Sequence, residues 1–196
     1  MMETTEKLML EIYLESTPNP ESQKFVTNKH LLPNYVLDFK NKEAVKDSEL
    51  AEELFKIPFV SAVFISNNFV TITKKPEYEW YEISPEIKET LKNFILSGRP
   101  IATDAIIKMG EAPIAEANPE DIESKIKDLL DKYVKPAVES DGGHIAFKSF
   151  ENGIVSLSMQ GSCSGCPSAS ATLKGGIEGL LKRMVPEVLE VVAIEE

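Results

Sequence analysis

Residues 144–167 read HIAFKSFENGIVSLSMQGSCSGCP, and the organisation of the chain follows from them. Two runs rich in β-branched and aromatic residues, HIAFKSF (144–150) and IVSLSMQ (154–160), flank Glu151-Asn152-Gly153. An Asn-Gly pair tolerates the positive φ of a tight turn, so the two runs are expected to form an antiparallel hairpin. The loop Gly161-Ser162-Cys163-Ser164-Gly165-Cys166 then ends at Pro167, whose fixed φ and missing N–H suit the first position of a helix. That helix is expected to reach about Val185, and VLEVVAI (188–194) reads as a closing strand. Upstream, Asn118-Pro119-Glu120-Asp121 supplies a cap, a proline and acids at the positive end of a helix dipole. Ile122, Ile126, Leu129, Leu130 and Tyr133 follow at helical spacing, and Pro136 bends or ends that helix. The order is α-β-β-loop-α-β.

The first half has a different pattern. LMLEIYLE (8–15), KFVTN (24–28), YVLDFKN (35–41), FVSAVFIS (59–66) and FVTITK (69–74) read as strands, with Asn67-Asn68 as a tight turn between the last two. DSELAEELF (47–55) and SPEIKETLKNFIL (84–96) read as helices. Asp47 or Ser48 and Ser84 are the expected N-caps, Pro85 the first helical residue, and Gly98 the stop. Between the halves, residues 99–118 (RPIATDAIIKMGEAPIAEAN) contain prolines and small residues that dilute any period. The expectation is an α+β protein of two small domains, 1–98 and 119–196, joined by a linker at 99–118. Ile106, Ile107 and Met109 are apolar enough that this stretch could instead be docked.

Composition narrows the class. Hydrophobic residues are 42% of the 196, ordinary for a folded protein. No stretch approaches the roughly 18 apolar residues of a membrane-spanning helix. The formal net charge of −11 is shared between the halves, and no part is basic enough for a nucleic-acid surface. The first residues, MMETTEKLMLEIYLEST, mix acids into their only apolar run, unlike a secretion signal or an Arg-rich presequence, so a cytoplasmic location is expected.

The chemistry lies in the two cysteines, Cys163 and Cys166. A close thiol pair in a reducing compartment points to metal or redox chemistry rather than to a disulfide scaffold. Gly161 and Gly165 let the loop curl so that both thiols face one way. Pro167 places Cys166 at or near the cap of the next helix, where the dipole favours thiolates and an anionic cluster gains stabilisation. Four other readings compete. Buried inert cysteines sit poorly in a glycine-bounded loop. A zinc site needs four ligands, and only His30 and His144 could join the thiols; His144, on the neighbouring strand, leaves a Cys/Cys/His site open. A thioredoxin-like pair belongs to a βαβ context, whereas this one follows a hairpin. Gly161-x-Cys163-x-Gly165 imitates a nucleophile elbow, but no histidine follows position 144 to act as base. Two thiolates fall short of the four a cluster takes. A symmetric dimer would supply all four at its interface, and such a cluster could leave when the chains part. That suits a carrier, not an enzyme. With two thiols per chain, [2Fe–2S] and [4Fe–4S] both remain open.

Residues 119–196 closely resemble the NifU C-terminal-like domain of the Nfu family of iron–sulfur scaffold and carrier proteins. The matching residues are Asp141-Gly142-Gly143, Gly161, Cys163 through Ser168, Thr172-Leu173, Gly176-Ile177-Glu178 and Pro186-Glu187-Val188. Residues 10–98 resemble the Nfu N-terminal domain through Thr17-Pro18-Asn19-Pro20, Lys24-Phe25 and the strand–helix pattern. The resemblance implies a cluster, usually [4Fe–4S], held by Cys163 and Cys166 between two chains of a homodimer. It also implies transfer to apo iron–sulfur acceptors and contact with upstream assembly proteins. His144 departs from the family, which usually has an acid there. The competing functions are a thiol–disulfide oxidoreductase and a zinc-stabilised interaction module. Of the remaining residues, Asp141-Gly142-Gly143 reads as a turn. Gly175, Gly176 and Gly179 read as close packing of their helix on the sheet, and Tyr78, Trp80 and Tyr81 as either a partner patch or the edge of the first core.

Overall fold

The computed structural model describes residues 9–111, 121–163 and 167–194. Five strands, β1 (Ile12–Ser16), β2 (Ser22–Thr27), β3 (Leu32–Phe39), β4 (Val60–Asn67) and β5 (Phe69–Lys74), form an antiparallel sheet in the order β1-β2-β5-β4-β3. Ser66 pairs with Phe69, so Asn67-Asn68 is the tight turn the sequence suggests. Strand side chains alternate between faces. Phe25, Val63, Ile65, Val70 and Ile72 point to one face and are buried there with residues of α1 (Glu49–Leu54) and α2 (Trp80–Leu96). Val26, Phe64 and Phe69 form a separate small cluster with Val36.

Ser48 caps α1 through its hydroxyl, which accepts from the Ala51 N–H at 3.2 Å. Gly98, at φ +72°, ends α2 as expected. The start of α2 differs. It begins at Trp80, one turn before Ser84-Pro85, so Pro85 lies inside the helix and Ser84 is not its cap. Tertiary contacts hold that extra turn: the Trp80 indole donates to Pro20 O at 2.9 Å and its ring lies 6.5 Å from Phe25. Ser84 Oγ donates back to Trp80 O. Tyr78 and Trp80 thus edge the first core, while Tyr81 is exposed. Residues 104–111, within the stretch read as a linker, form α3 (Asp104–Glu111); Ala102 and Ile106 join the first core.

The second unit opens with α4 (Ile122–Leu129), a π-helical turn over Leu130–Val134, and α5 (Lys135–Ser140). The expected cap at Asn118-Pro119 lies outside the described residues. The helical stretch runs on through Pro136 rather than ending there. The wider turn has a consequence for packing: its extra residue rotates Val134 and Val138 inward, and Tyr133, which simple helical spacing places in the core, is half exposed. The hairpin of β6 (Gly143–Glu151) and β7 (Ile154–Gly161) turns at Asn152 and Gly153, φ +51° and +83°, the pair of positive values a type I′ turn requires. Helix α6 (Pro167–Met184) crosses over to β8 (Glu190–Ile194), which runs parallel to β7, giving the order β6-β7-β8. Ile126, Leu130, Val134 and Val138 of the first helical stretch and Ile177 and Leu181 of α6 form one core with Ile145, Val155, Leu157 and Met159, which share a face of the sheet. Gly175, Gly176 and Gly179 do not pack on the sheet as expected: a Cβ at any of them would meet nothing within 4 Å. Leu173, Ile177 and Leu181 occupy the inward side of α6 instead. No helix among the described residues is long and apolar enough to cross a membrane.

Candidate functional site

Strand β7 delivers the chain to Cys163 through Gly161, whose φ of +67° turns the backbone toward the start of β6. A side chain at 161 has no room: its Cβ would stand 2.7 Å from Gly142 O and 3.0 Å from both Gly143 Cα and Phe64 Cδ1. The Ser162 N–H donates to Gly142 O at 3.2 Å, and the Ser162 hydroxyl donates to Asp141 O. Cys163 Sγ lies against Gly143, where an added Cβ would come within 2.7 Å of it. Asp141-Gly142-Gly143 is thus a turn, as the sequence suggests, and it forms the floor on which Ser162 and Cys163 rest. Cys163 is 7% exposed and packs with the second core. Cys166 lies outside the described residues; Pro167, the next residue, starts α6.

Among the described residues neither histidine joins Cys163 in a metal-binding group. His144 faces a hollow of about 270 Å³ lined by Lys127, Leu130, Asp131, Lys135, Ala146 and Phe147. Burial, and then the Lys135 ammonium, push its imidazole down from 6.5 to about 4, and its Nδ1 is buried without a hydrogen bond among the described residues. The ring is held neutral, with the Lys135 ammonium outweighing the Asp131 carboxylate beside it. His30 Nδ1 lies 2.8 Å from Asn67 Oδ1 at the β4–β5 turn. Among the described residues no three His, Cys, Asp or Glu side chains converge to hold a metal ion.

A second set of residues at the site belongs to the first sheet. Glu15, Lys24, Thr71, Phe64 and Asp38 are directly paired across the five strands, so they form one row. Thr71 Oγ1 donates to Gly142 O at 2.7 Å, and Lys24 Nζ donates to Ser140 O at 3.3 Å while pairing with Glu15 at 2.9 Å. Phe64 abuts Gly161. Burial pushes the Asp38 carboxyl up, against the pull of the Lys40 ammonium and a hydrogen bond from the Gly161 backbone. Thr17, from the Thr-Pro-Asn-Pro motif, also reaches Gly142: an added Cβ there would stand 3.2 Å from its Cγ2. The sequence offers no local signal for these contacts, since Thr71 and Gly142 are 71 residues apart.

A five-stranded antiparallel unit set against a smaller α-β-β-α-β unit, with Cys163 just past the end of its hairpin, defines a two-part α+β protein. Residues 12–98 match the family described as "Scaffold protein Nfu/NifU N terminal", and residues 126–192 match the "NifU-like domain". The chain is 41% identical over 181 residues to the human protein named "NFU1 iron-sulfur cluster scaffold homolog, mitochondrial". That match covers 90% of this chain and 69% of the human one. The protein of the same name from Drosophila persimilis is 40% identical, over 96% of this chain and 66% of its own. The chain therefore spans about two thirds of the length of these curated relatives. It belongs to the Nfu family of NifU-like scaffold proteins. A solved NifU-like protein from Saccharomyces cerevisiae is similar at 24% identity and a TM-score of 0.44, covering 53% of this chain and 93% of its own.

Proposed function

We propose that this chain is an iron–sulfur cluster scaffold and carrier: it holds a cluster through Cys163 and Cys166 and passes it to apo-proteins. The observation that carries the reading is Cys163 itself, seated on the glycine turn of a NifU-like domain four residues before Pro167, the first residue of α6. The names of the relatives, iron–sulfur cluster scaffold homologues, support it. The cluster is cargo here, not a resident cofactor, and the chain works by holding and releasing it rather than by catalysis. Soft thiolates suit iron and sulfide, and a helix N-terminus beyond them suits the net negative charge of a thiolate-bound cluster.

Because two thiolates leave a cluster half-ligated, the carrier form is a homodimer with one [4Fe–4S] cluster at its interface. Residues 1–98 and 119–196 act in this scheme as an accessory unit and a cluster-binding unit. The cytoplasmic location read from the acidic first residues belongs to the same proposal, and cell fractionation tests it.

Anaerobic reconstitution followed by iron, sulfide and zinc analysis tests the function. Iron with matching sulfide, lost in both Cys163→Ser and Cys166→Ser, is the expected result. Zinc without sulfide, or metal-free disulfide turnover, would replace the reading with an interaction module or an oxidoreductase.

A further inference from the structure

The turn beneath Cys163 is held from two sides. Gly142 O accepts from the Ser162 N–H of the cysteine segment and from Thr71 Oγ1 of the first sheet, so a single carbonyl joins the two units. Lys24, 7% exposed, reaches Ser140 O on the same turn, and Phe64 closes over Gly161. These contacts come from one cross-strand row, and Thr71 is 1% exposed beneath them. Cys163, meanwhile, points inward against Gly143. A sulfur in that position is not available to a cluster shared with a second chain. Ser162, the residue just before Cys163, is tied to Gly142 O and Asp141 O, on the turn that Thr71 and Lys24 hold from the other side.

We propose that the row Lys24–Thr71–Phe64 of the first sheet is an autoinhibitory latch, which docks on the Asp141–Gly143 turn and keeps Cys163 turned in until the sheet lets go. Undocking loosens the turn and frees the thiol. The coupling is reciprocal: whatever holds Cys163 outward also favours the undocked sheet. Loading of the cluster in this scheme rests on the scaffold function proposed above, whereas the latch on the thiol does not.

Two measurements on the full chain test this separately. In the apo protein, alkylation of Cys163 by iodoacetamide, resolved by peptide mass spectrometry, reads the latch without any cluster. Thr71→Arg puts a long side chain where the hydroxyl now sits 2.7 Å from Gly142 O. It should raise the Cys163 rate at least tenfold, while Thr71→Ser, which keeps the donor, should stay within twofold of the parent. A Thr71→Arg protein with native circular dichroism and an unchanged rate overturns the latch. The second measurement needs no variant: acylation of Lys24 in the parent protein before and after reconstitution. Cluster loading should raise the Lys24 rate at least tenfold and leave Lys88 and Lys92 on α2 unchanged. A fully loaded protein whose Lys24 reacts no faster than in the apo form overturns the coupling of latch to loading. A chain that takes up no iron overturns the scaffold function, and the thiol measurement still decides the latch.

Discussion

Replacing Gly161 with alanine perturbs the fold and the site through one methyl group. The residue sits at φ +67°, a conformation that costs a non-glycine residue roughly 1–2 kcal/mol. The new Cβ would also meet Gly142 O at 2.7 Å and Gly143 Cα at 3.0 Å. Both are backbone atoms of the β6 start, so relief requires the hairpin end to move, and forced overpacking of this kind costs about 1–3 kcal/mol. The sum is a loss of about 3 kcal/mol. Gly98 provides the control, because it has a similar φ of +72° and nothing within 4 Å. Gly98→Ala should cost only the backbone share, about 1 kcal/mol. Urea unfolding followed by circular dichroism reads both units, and the fluorescence of Trp80, the chain's single tryptophan, reads the first. The transition of the second unit should shift in Gly161→Ala and that of the first in Gly98→Ala, the former by more. Equal losses, or a Gly161→Ala protein within about 0.5 kcal/mol of the parent, would show that the close approach at Gly161 is not as described.

Leu181, fully buried between α6 and the second sheet, should cost about 3 kcal/mol on truncation to alanine, measured by the same unfolding transition. His144 makes a pH prediction. The unfolded chain takes up its proton near 6.5 and the folded chain only near 4, so stability is lost as pH falls through that interval, by at most about 3 kcal/mol. His144→Gln should remove this dependence; a stability difference between variant and parent that stays constant from pH 7 to 4.5 would refute the assignment. Asp38→Asn should be neutral or stabilising at pH 7, because the carboxylate it removes is disfavoured by burial, and any gain should fade as pH falls and the parent carboxyl protonates.

Much of the fold is legible in local chemistry. Asn152-Gly153, Gly98 and Ser48 act through their own backbone preferences, and each stands where a short-range rule puts it. The deviations have long-range causes. Helix α2 starts a turn early because Trp80 finds Pro20 O and Phe25, which are distant in sequence. Tyr133 faces outward because a π turn just before Pro136 shifts the helical phase, and a fixed period of 3.6 carries no sign of that shift. The glycines of α6 are open to the outside, and residue type alone does not tell a glycine that admits a neighbour inward from one that admits it from outside. At the site, Cys163, Gly161 and the Asp141–Gly143 turn are recognisable from spacing and turn chemistry. Lys24, Thr71 and Asp38 are not, because a row across five strands exists only after the sheet has formed.

The central claim is that the cluster is shared cargo, held by the thiol pairs of two chains. Native mass spectrometry of the reconstituted full chain under anaerobic conditions, without added thiols, measures this directly. The account predicts a species of two chains carrying one cluster, absent from the apo sample and from Cys163→Ser. A single chain carrying a complete cluster would contradict it.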